Sequence, residues 1–303
     1  MVLLHFFQRF AQKRYGCEFA VAHIDHGLRE ESEAQADRLQ AYCTAEQIPF
    51  YRERLCFSQQ TAVEARARDA RYEALFQFAS LYEADALCTA HHGNDQLETL
   101  LMQWIRGNVS LTGIRPLSSR ALPVLRPLLE MPREELEAYH HHHGLFYLED
   151  PSNRDTALFR NRLRHEVLPL LLKENPRLIS QSVQTALVRQ QEQDYLREQA
   201  HSLYLTHRTL HERETTKVCD FPVVILQQQH PALQRLVLKE ILTQMNGRWR
   251  RFTRKHVEAI LSLCQAETRK HVTLPFAIRV TRKKQSLRFE HMLCMKNVQI
   301  KNS

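Results

Sequence analysis

Glycine and proline are scarce in this 303-residue chain, at seven and eleven residues. That excludes collagen-like repeats and leaves little material for flexible linkers. No internal repeat, polar tract or run of like charge is long enough to read as disordered. The seven cysteines, Cys17, Cys43, Cys56, Cys88, Cys219, Cys264 and Cys294, are odd in number and widely spaced, and no Cys-x-x-Cys occurs. A disulfide framework and a zinc ribbon are therefore not expected, and a reducing cytoplasm fits best. Long apolar runs are lacking too. The opening Met1-Val2-Leu3-Leu4-His5-Phe6-Phe7 soon meets Gln8, Arg9, Gln12, Lys13 and Arg14, far short of the roughly 18 apolar residues of a membrane span. No small-residue cleavage site follows it, so neither secretion nor a membrane partner is expected.

What the chain does hold is 43% apolar residues, and at this length about two domains are expected. Lys plus Arg is 42 against 34 Asp plus Glu, a net charge of +8. Residues 248–288 alone hold 12 basic and 2 acidic side chains, so this segment carries +10 and the remainder −2. Basic charge gathered at one end suits a polyanionic partner, because each neutralised phosphate releases counterions. A solvated charged face is the plainer reading of the same numbers.

Residues 1–15 have helical spacing, and Glu18-Phe19-Ala20-Val21-Ala22-His23 has strand length. A helix over 31–47, an extended segment over 49–55, a helix over 63–82, a strand over 85–89 and a helix after Asn94 follow. Strands separated by long helices imply a parallel sheet covered on both faces, with ligands beyond the carboxyl ends of the strands. Two polar clusters fall there: His23-Ile24-Asp25-His26-Gly27-Leu28-Arg29 and His91-His92-Gly93-Asn94-Asp95-Gln96-Leu97-Glu98. Beyond Pro127 the pattern turns helical, over about 132–143, 159–173, 176–205, 230–245 and 253–265, with two strands at 271–281 and 287–289. The expected divisions are 1–175, 176–247 and 248–303, the last a small α/β unit.

In the helix after Asn94, a rotation of about 100° per residue puts Leu97, Leu100, Leu101 and Trp104 on one face. Asp95, Glu98, Thr99, Met102 and Arg106 share the other. Asp95 and Glu98 could simply cap the helix, but capping leaves Arg106-Gly107 unexplained. His23, Asp25, His26, His91, His92 and Asp95 could be read as the ligands of a metal-dependent hydrolase. Against that, adjacent histidines point in different directions and no further ligand group follows at convincing spacing. In the helix from 159, Asn161, Arg164 and His165 lie at i, i+3 and i+4, a polar face suited to an anion or an RNA backbone. Leu163, Val167 and Leu170 are its expected packing face.

Six collinear segments together are highly specific: Val-Ala-His-Ile-Asp-His-Gly-Leu-Arg at 21–29, Glu-Ala-Arg-Ala-Arg-Asp-Ala-Arg-Tyr at 64–72, Ala-His-His-Gly-Asn-Asp-Gln-Leu-Glu-Thr at 90–99, Arg106-Gly107, Arg126-Pro127-Leu128-Leu129, and 149–169 from Glu-Asp-Pro-Ser-Asn to Leu-Pro. They resemble the tRNA(Ile)-lysidine synthases of the PP-loop ATPase superfamily. The resemblance implies a Rossmann-like α/β fold. It implies a ligase that uses ATP, Mg²⁺ and L-lysine to convert the wobble cytidine of CAU-anticodon tRNA(Ile) to lysidine through an adenylated intermediate. Asp95 matches the acidic residue that assists the attack. Ala22, His23, Asp25, Arg106 and Gly107 fall at nucleotide positions, and Glu98, Arg126, Asn161, Arg164 and His165 at lysine, cytidine and tRNA positions. The basic 248–288 region would hold the tRNA, and a homodimer is compatible with the pattern.

The sequence departs from the family in two ways. The nucleotide loop, Ser-Gly-Gly-x-Asp-Ser, ends in the family just before the helix that here starts at Met1, so that loop and the first strand are expected to be absent. Longer members also carry a further carboxyl-terminal domain. A tRNA-binding remnant without catalysis is the alternative these departures leave open. Related tRNA thiolases fit less well, since their paired cysteines are absent.

Overall fold

The computed structural model describes residues 1–25, 31–55, 63–108, 110–118, 122–146, 158–213, 216–246 and 252–292. His26 to Arg29, the Glu149 to Asn153 lead and the basic residues 248–251 of the sequence reading lie outside them. The chain forms two compact units, Met1–Gln190 and Gln191–Ser303.

The first unit opens with α1 (Val2–Phe6), a π-helical stretch over Phe7–Ala11 and α2 (Gln12–Tyr15), closed by Gly16 at φ 64°. Only a residue without Cβ takes that left-handed helix cap at no steric cost. Then come β1 (Val21–Asp25), α3 (Glu31–Ala45), β2 (Phe50–Arg54), α4 (Val63–Leu81) and β3 (Leu87–Cys88). They are followed by α5 (Gly93–Ile105), β4 (Leu117–Ser118), β5 (Val124–Leu125), α6 (Arg133–His142) and α7 (Phe159–Arg162). A second π-helical stretch, Leu163–Val167, leads into α8 (Leu168–Glu174), and α9 (Leu178–His207) runs on across the division between the units.

The α/β alternation expected from the pattern is present, with its parallel pairing in two pieces. β1 pairs β2 in parallel with Val21 opposite Phe50, and β3 pairs β5 in parallel while β4 runs antiparallel to β5. No hydrogen-bonded pairing joins β1 to β3 among the described residues. Instead α4 lies against both, burying Tyr72, Ala74, Phe78 and Ala79. Both polar clusters begin at strand carboxyl ends, at Asp25 and after Cys88.

Two packing expectations are corrected. Trp104 does not join the buried face of α5: Leu97 is 4% exposed but Trp104 is 70%, because the helix outruns the core it packs on. The helix expected over 159–173 contains the π-helical stretch, whose i→i+5 bonding takes more residues per turn. The apolar stripe is thereby shifted, so that Leu163 and Leu168 are buried while Val167 and Leu170 are exposed.

The second unit is a five-stranded antiparallel sheet, where two strands were expected. Its order is β6-β7-β10-β9-β8, from β6 (Thr209–Arg213), β7 (Thr216–Pro222), β8 (His271–Leu274), β9 (Ile278–Arg282) and β10 (Ser286–Met292). The helices α10 (Val223–Gln228), α11 (Pro231–Asn246) and α12 (Arg254–Leu263) cover one face. Phe221, Leu238, Ile241, Leu242, Ile260, Ile278, Leu287 and Phe289 are buried there, each contributing roughly 1.5–3 kcal/mol by leaving water.

Candidate active site

The amino end of α5 is fixed by backbone contacts before any functional side chain is considered. Gly93 N–H donates to the Met131 carbonyl at 2.8 Å, and a Cβ on Gly93 would stand 2.8 Å from Ile179 Cγ2 and 3.1 Å from the Met131 oxygen. Glycine is required here by close approach, not by its φ. The Asn94 side chain accepts the Arg133 N–H at 2.8 Å. The fully buried Gln96 accepts the Ile114 N–H at 2.5 Å and donates back to the Ile114 carbonyl at 3.1 Å. From the carboxyl side Gln190 donates to the carbonyls of Thr112 and Ile114.

On this rigid turn stand two carboxylates one helical turn apart. The Asp95 side chain is 13% exposed and that of Glu98 0%. Asp95 Oδ2 accepts the His92 backbone N–H at 2.9 Å, so the capping role read from the sequence is fulfilled. Its other oxygen does something else, accepting from Arg160 Nη2 at 2.6 Å. Glu98 accepts from Arg160 Nε at 2.6 Å, Arg164 Nε at 2.8 Å and Arg164 Nη2 at 3.2 Å. Arg164 Nη2 also stands 3.7 Å from Asp95 Oδ1. An i, i+3 acid pair thus meets an i, i+4 guanidinium pair. A carboxylate as buried as Glu98 requires such partners, because an uncompensated buried charge costs several kcal/mol.

His92 borders this cluster. Its Nε2 is 3.6 Å from Asp95 Oδ2, and its Nδ1 is buried with no hydrogen-bond partner among the described residues. Burial pushes its pKa down, against the opposing pull of Asp95 and Glu98, so the imidazole is neutral beside the acids at neutral pH. In β1, burial also lowers the pKa of His23.

Of the residues singled out from sequence, the structure brings Asp95, Glu98 and Arg164 together. Arg160, passed over in the sequence, is as much a part of the cluster as Arg164. Asn161 is buried beside them in sequence, whereas His165 is exposed, being carried round by the π-helical stretch. Ala22, His23 and Asp25 stand on β1, with Asp25 4% exposed and its Oδ2 3.9 Å from Arg54 Nε. Arg106 is an exposed C-cap, and Gly107 at φ 70° closes α5. At 1.5 Å per residue Arg106 is about 16 Å along the helix from Asp95. Arg126 is buried, donating to the Arg115 carbonyl at 2.7 Å and, more distantly, to Ser118 Oγ and Tyr72 Oη, and thereby holding β4 and β5 against α4. Among the described residues no group of three or more His, Cys, Asp or Glu side chains could hold a metal ion.

Comparison with known proteins gives this arrangement its place. Residues 1–171, more than half of the chain, match the PP-loop domain family. Among solved structures, the U34-tRNA thiolase NcsA from Methanococcus maripaludis with its 4Fe-4S cluster superposes with a TM-score of 0.52 at 15% identity, over 61% of this chain and 66% of that one. That similarity is one of fold, and it agrees with an α/β PP-loop architecture. Residues 221–288 match the TilS substrate binding domain. The tRNA(Ile)-lysidine synthases of Enterococcus faecalis, Pseudomonas aeruginosa and Thermus thermophilus are 36%, 35% and 34% identical over 66%, 80% and 89% of this chain. They are covered over 44%, 56% and 52% of their own lengths, so the chain spans about half of these relatives. The chain belongs to the tRNA(Ile)-lysidine synthase family.

Proposed function

We propose that the protein is a carbon-nitrogen ligase that converts the wobble cytidine of CAU-anticodon tRNA(Ile) to lysidine with ATP and L-lysine. The observation that supports this most directly is the Asp95–Glu98 pair, two shielded carboxylates one turn apart on a rigid helix start and already engaged by cationic groups. A site that holds guanidinium charge against two carboxylates is chemically suited to an amine substrate.

In this reading the cytidine C2 oxygen attacks the α-phosphorus of ATP, the bond to the β-phosphate breaks and pyrophosphate leaves. The lysine ε-amine, entering as the neutral base, then forms the new bond to C2 and passes a proton to Asp95. AMP departs with the former C2 oxygen. Glu98 keeps the amine oriented, while Arg164, with Asn161, His165 and Arg126, serves the cytidine and tRNA side. Ala22, His23, Asp25, Arg106 and Gly107 serve the nucleotide. Mg²⁺ would enter with the ATP phosphates, whose charge it would offset. Residues 1–175 would form the catalytic domain, 176–247 a helical substrate region and 248–303 the basic tRNA-holding unit, all in the cytoplasm.

The test is incorporation of labelled lysine into a CAU-anticodon tRNA(Ile) transcript with ATP. It compares the chain, the chain with a Ser-Gly-Gly-x-Asp-Ser loop segment placed ahead of Met1, and the Asp95→Asn form of whichever is active. Loss of a positioned proton acceptor lowers the rate about 100-fold or more. Incorporation untouched by Asp95→Asn removes the assigned role of Asp95. No incorporation by either chain, with tRNA still bound, establishes a binding protein in place of a ligase.

A further inference from the structure

The basic charge of the carboxyl-terminal unit is not evenly available. On the solvent face of its sheet, Arg288 is held by Asp220 through two hydrogen bonds of 2.9 and 2.8 Å, and Asp220 also lies 3.6 Å from His211. Register puts Arg279 opposite Glu290. On α12, Arg254 is paired with Glu258. That face and that helix therefore mix both signs.

One end of the sheet differs. Arg269 N–H donates to the Arg282 carbonyl at 2.7 Å, Arg282 N–H to the Lys270 carbonyl at 2.8 Å, and Lys283 N–H to the Ser286 carbonyl at 2.8 Å. These bonds fasten the entry to β8 against the β9–β10 turn, on strands roughly 4.8 Å apart. Arg269, Lys270, Lys283 and Lys284 are all exposed there, and none has a carboxylate within ion-pair distance among the described residues. Arg282 adds a fifth positive charge, its guanidinium donating to the Lys283 carbonyl. Glu267 is the one acidic residue from 259 through 289. It precedes the turn, where its carbonyl accepts from Lys270 N–H. Arg269, Lys270, Arg282 and Lys283 are anchored through their backbones, and no ion pair with a carboxylate among the described residues neutralises the four exposed cations.

Resting on the reading of the protein as a tRNA-modifying enzyme, we propose that this end, Arg269, Lys270, Lys283 and Lys284 with Arg282 beneath them, is the surface that grips an RNA phosphate backbone. The acid-laced sheet face does not. No Phe, Tyr or Trp occurs in 267–271 or 282–286, and His271 is the one aromatic ring in these two stretches, so the grip is mainly one of charge on phosphate, indifferent to sequence.

The test measures binding of the full chain to a CAU-anticodon tRNA(Ile) transcript and to an unrelated tRNA across a salt series. It uses the wild type, a variant carrying Arg269→Gln, Lys270→Gln, Lys283→Gln and Lys284→Gln, and a control carrying Arg235→Gln, Lys255→Gln and Arg279→Gln. Circular dichroism and melting confirm that each is folded. At about 0.7–0.9 counterions per phosphate contact, the fourfold variant flattens the slope of log affinity against log salt by about 3 on both RNAs. The control leaves it nearly unchanged. A slope kept by the fourfold variant, or lost equally in the control, overturns the assignment while leaving the tRNA reading intact. A wild-type chain that binds neither RNA at low salt overturns both.

Discussion

Glu98 is the residue on which most converges. It is fully buried, and both arginines reach it from another helix. Replacing it by alanine removes the acceptor of three guanidinium hydrogen bonds from Arg160 and Arg164, the situation in which breaking a buried pair is costly. Glu98→Ala is expected to lower stability by about 3 kcal/mol or more, read from urea unfolding. A change under about 1 kcal/mol would mean that the guanidiniums find water or other partners at no cost. Asp95→Asn keeps the shape and one acceptor oxygen, and should cost much less stability than activity. Reading the sequence was enough to single out Asp95, Glu98 and Arg164, which the structure brings together, because an i, i+3 acid pair after a strand and a polar helix face are visible as patterns. Arg160 was equally visible at i, i+4 from Arg164. It was passed over because a pattern on one helix does not say which of its arginines faces another helix.

At the scale of elements, the placement of α5 depends on the loop after it. Gly113 adopts φ +57°, and a Cβ there would collide with the Gln96 amide that pairs with Ile114. Gly113→Ala therefore combines left-handed backbone strain of about 1–2 kcal/mol with displacement of a buried side chain whose hydrogen bonds would go unmade. The expected loss is about 2 kcal/mol or more by thermal or urea unfolding, with lysine incorporation falling alongside if α5 shifts. Unchanged stability would show that the Gln96 bonds are dispensable. The longer helices were legible: α3, α4, α5, α6, α9, α11 and α12 all lie close to where the sequence puts them. β6 and β7 were not. Thr209, Leu210 and His211 are all exposed, and Val218 and Cys219 are both buried, so neither strand shows the period of two that betrays a half-buried strand. The π-helical stretch at Leu163–Val167 was illegible for a related reason, since a wheel drawn at a constant 100° cannot anticipate a turn with an extra residue.

At the scale of the whole molecule, burial of imidazoles couples folding to pH. His23 on β1 and His92 at the start of α5 both have lowered pKa values, burial being the leading cause in each. In the unfolded chain they return to about 6.5. Above that value neither state binds these protons, and the stability that depends on neutral histidine is fully present. As pH falls through about 6.5 the unfolded chain takes up protons that the folded chain declines, and stability falls, by up to about 1.4 kcal/mol per pH unit for each group. The decline continues until the lowered folded-state values are passed. Urea titrations from pH 8 to pH 5 should therefore show a plateau down to about pH 6.5 and a fall below it, a fall made shallower by His92→Gln and again by His23→Gln. His92→Gln also keeps Asp95 hydrogen-bonded through the backbone N–H at position 92, which a change of side chain does not remove. A loss of lysine incorporation in that variant, with Asp95 still capped, would then point to the neutral imidazole itself as a participant beside the carboxylates. Full activity would confine His92 to its part in the pH response of folding.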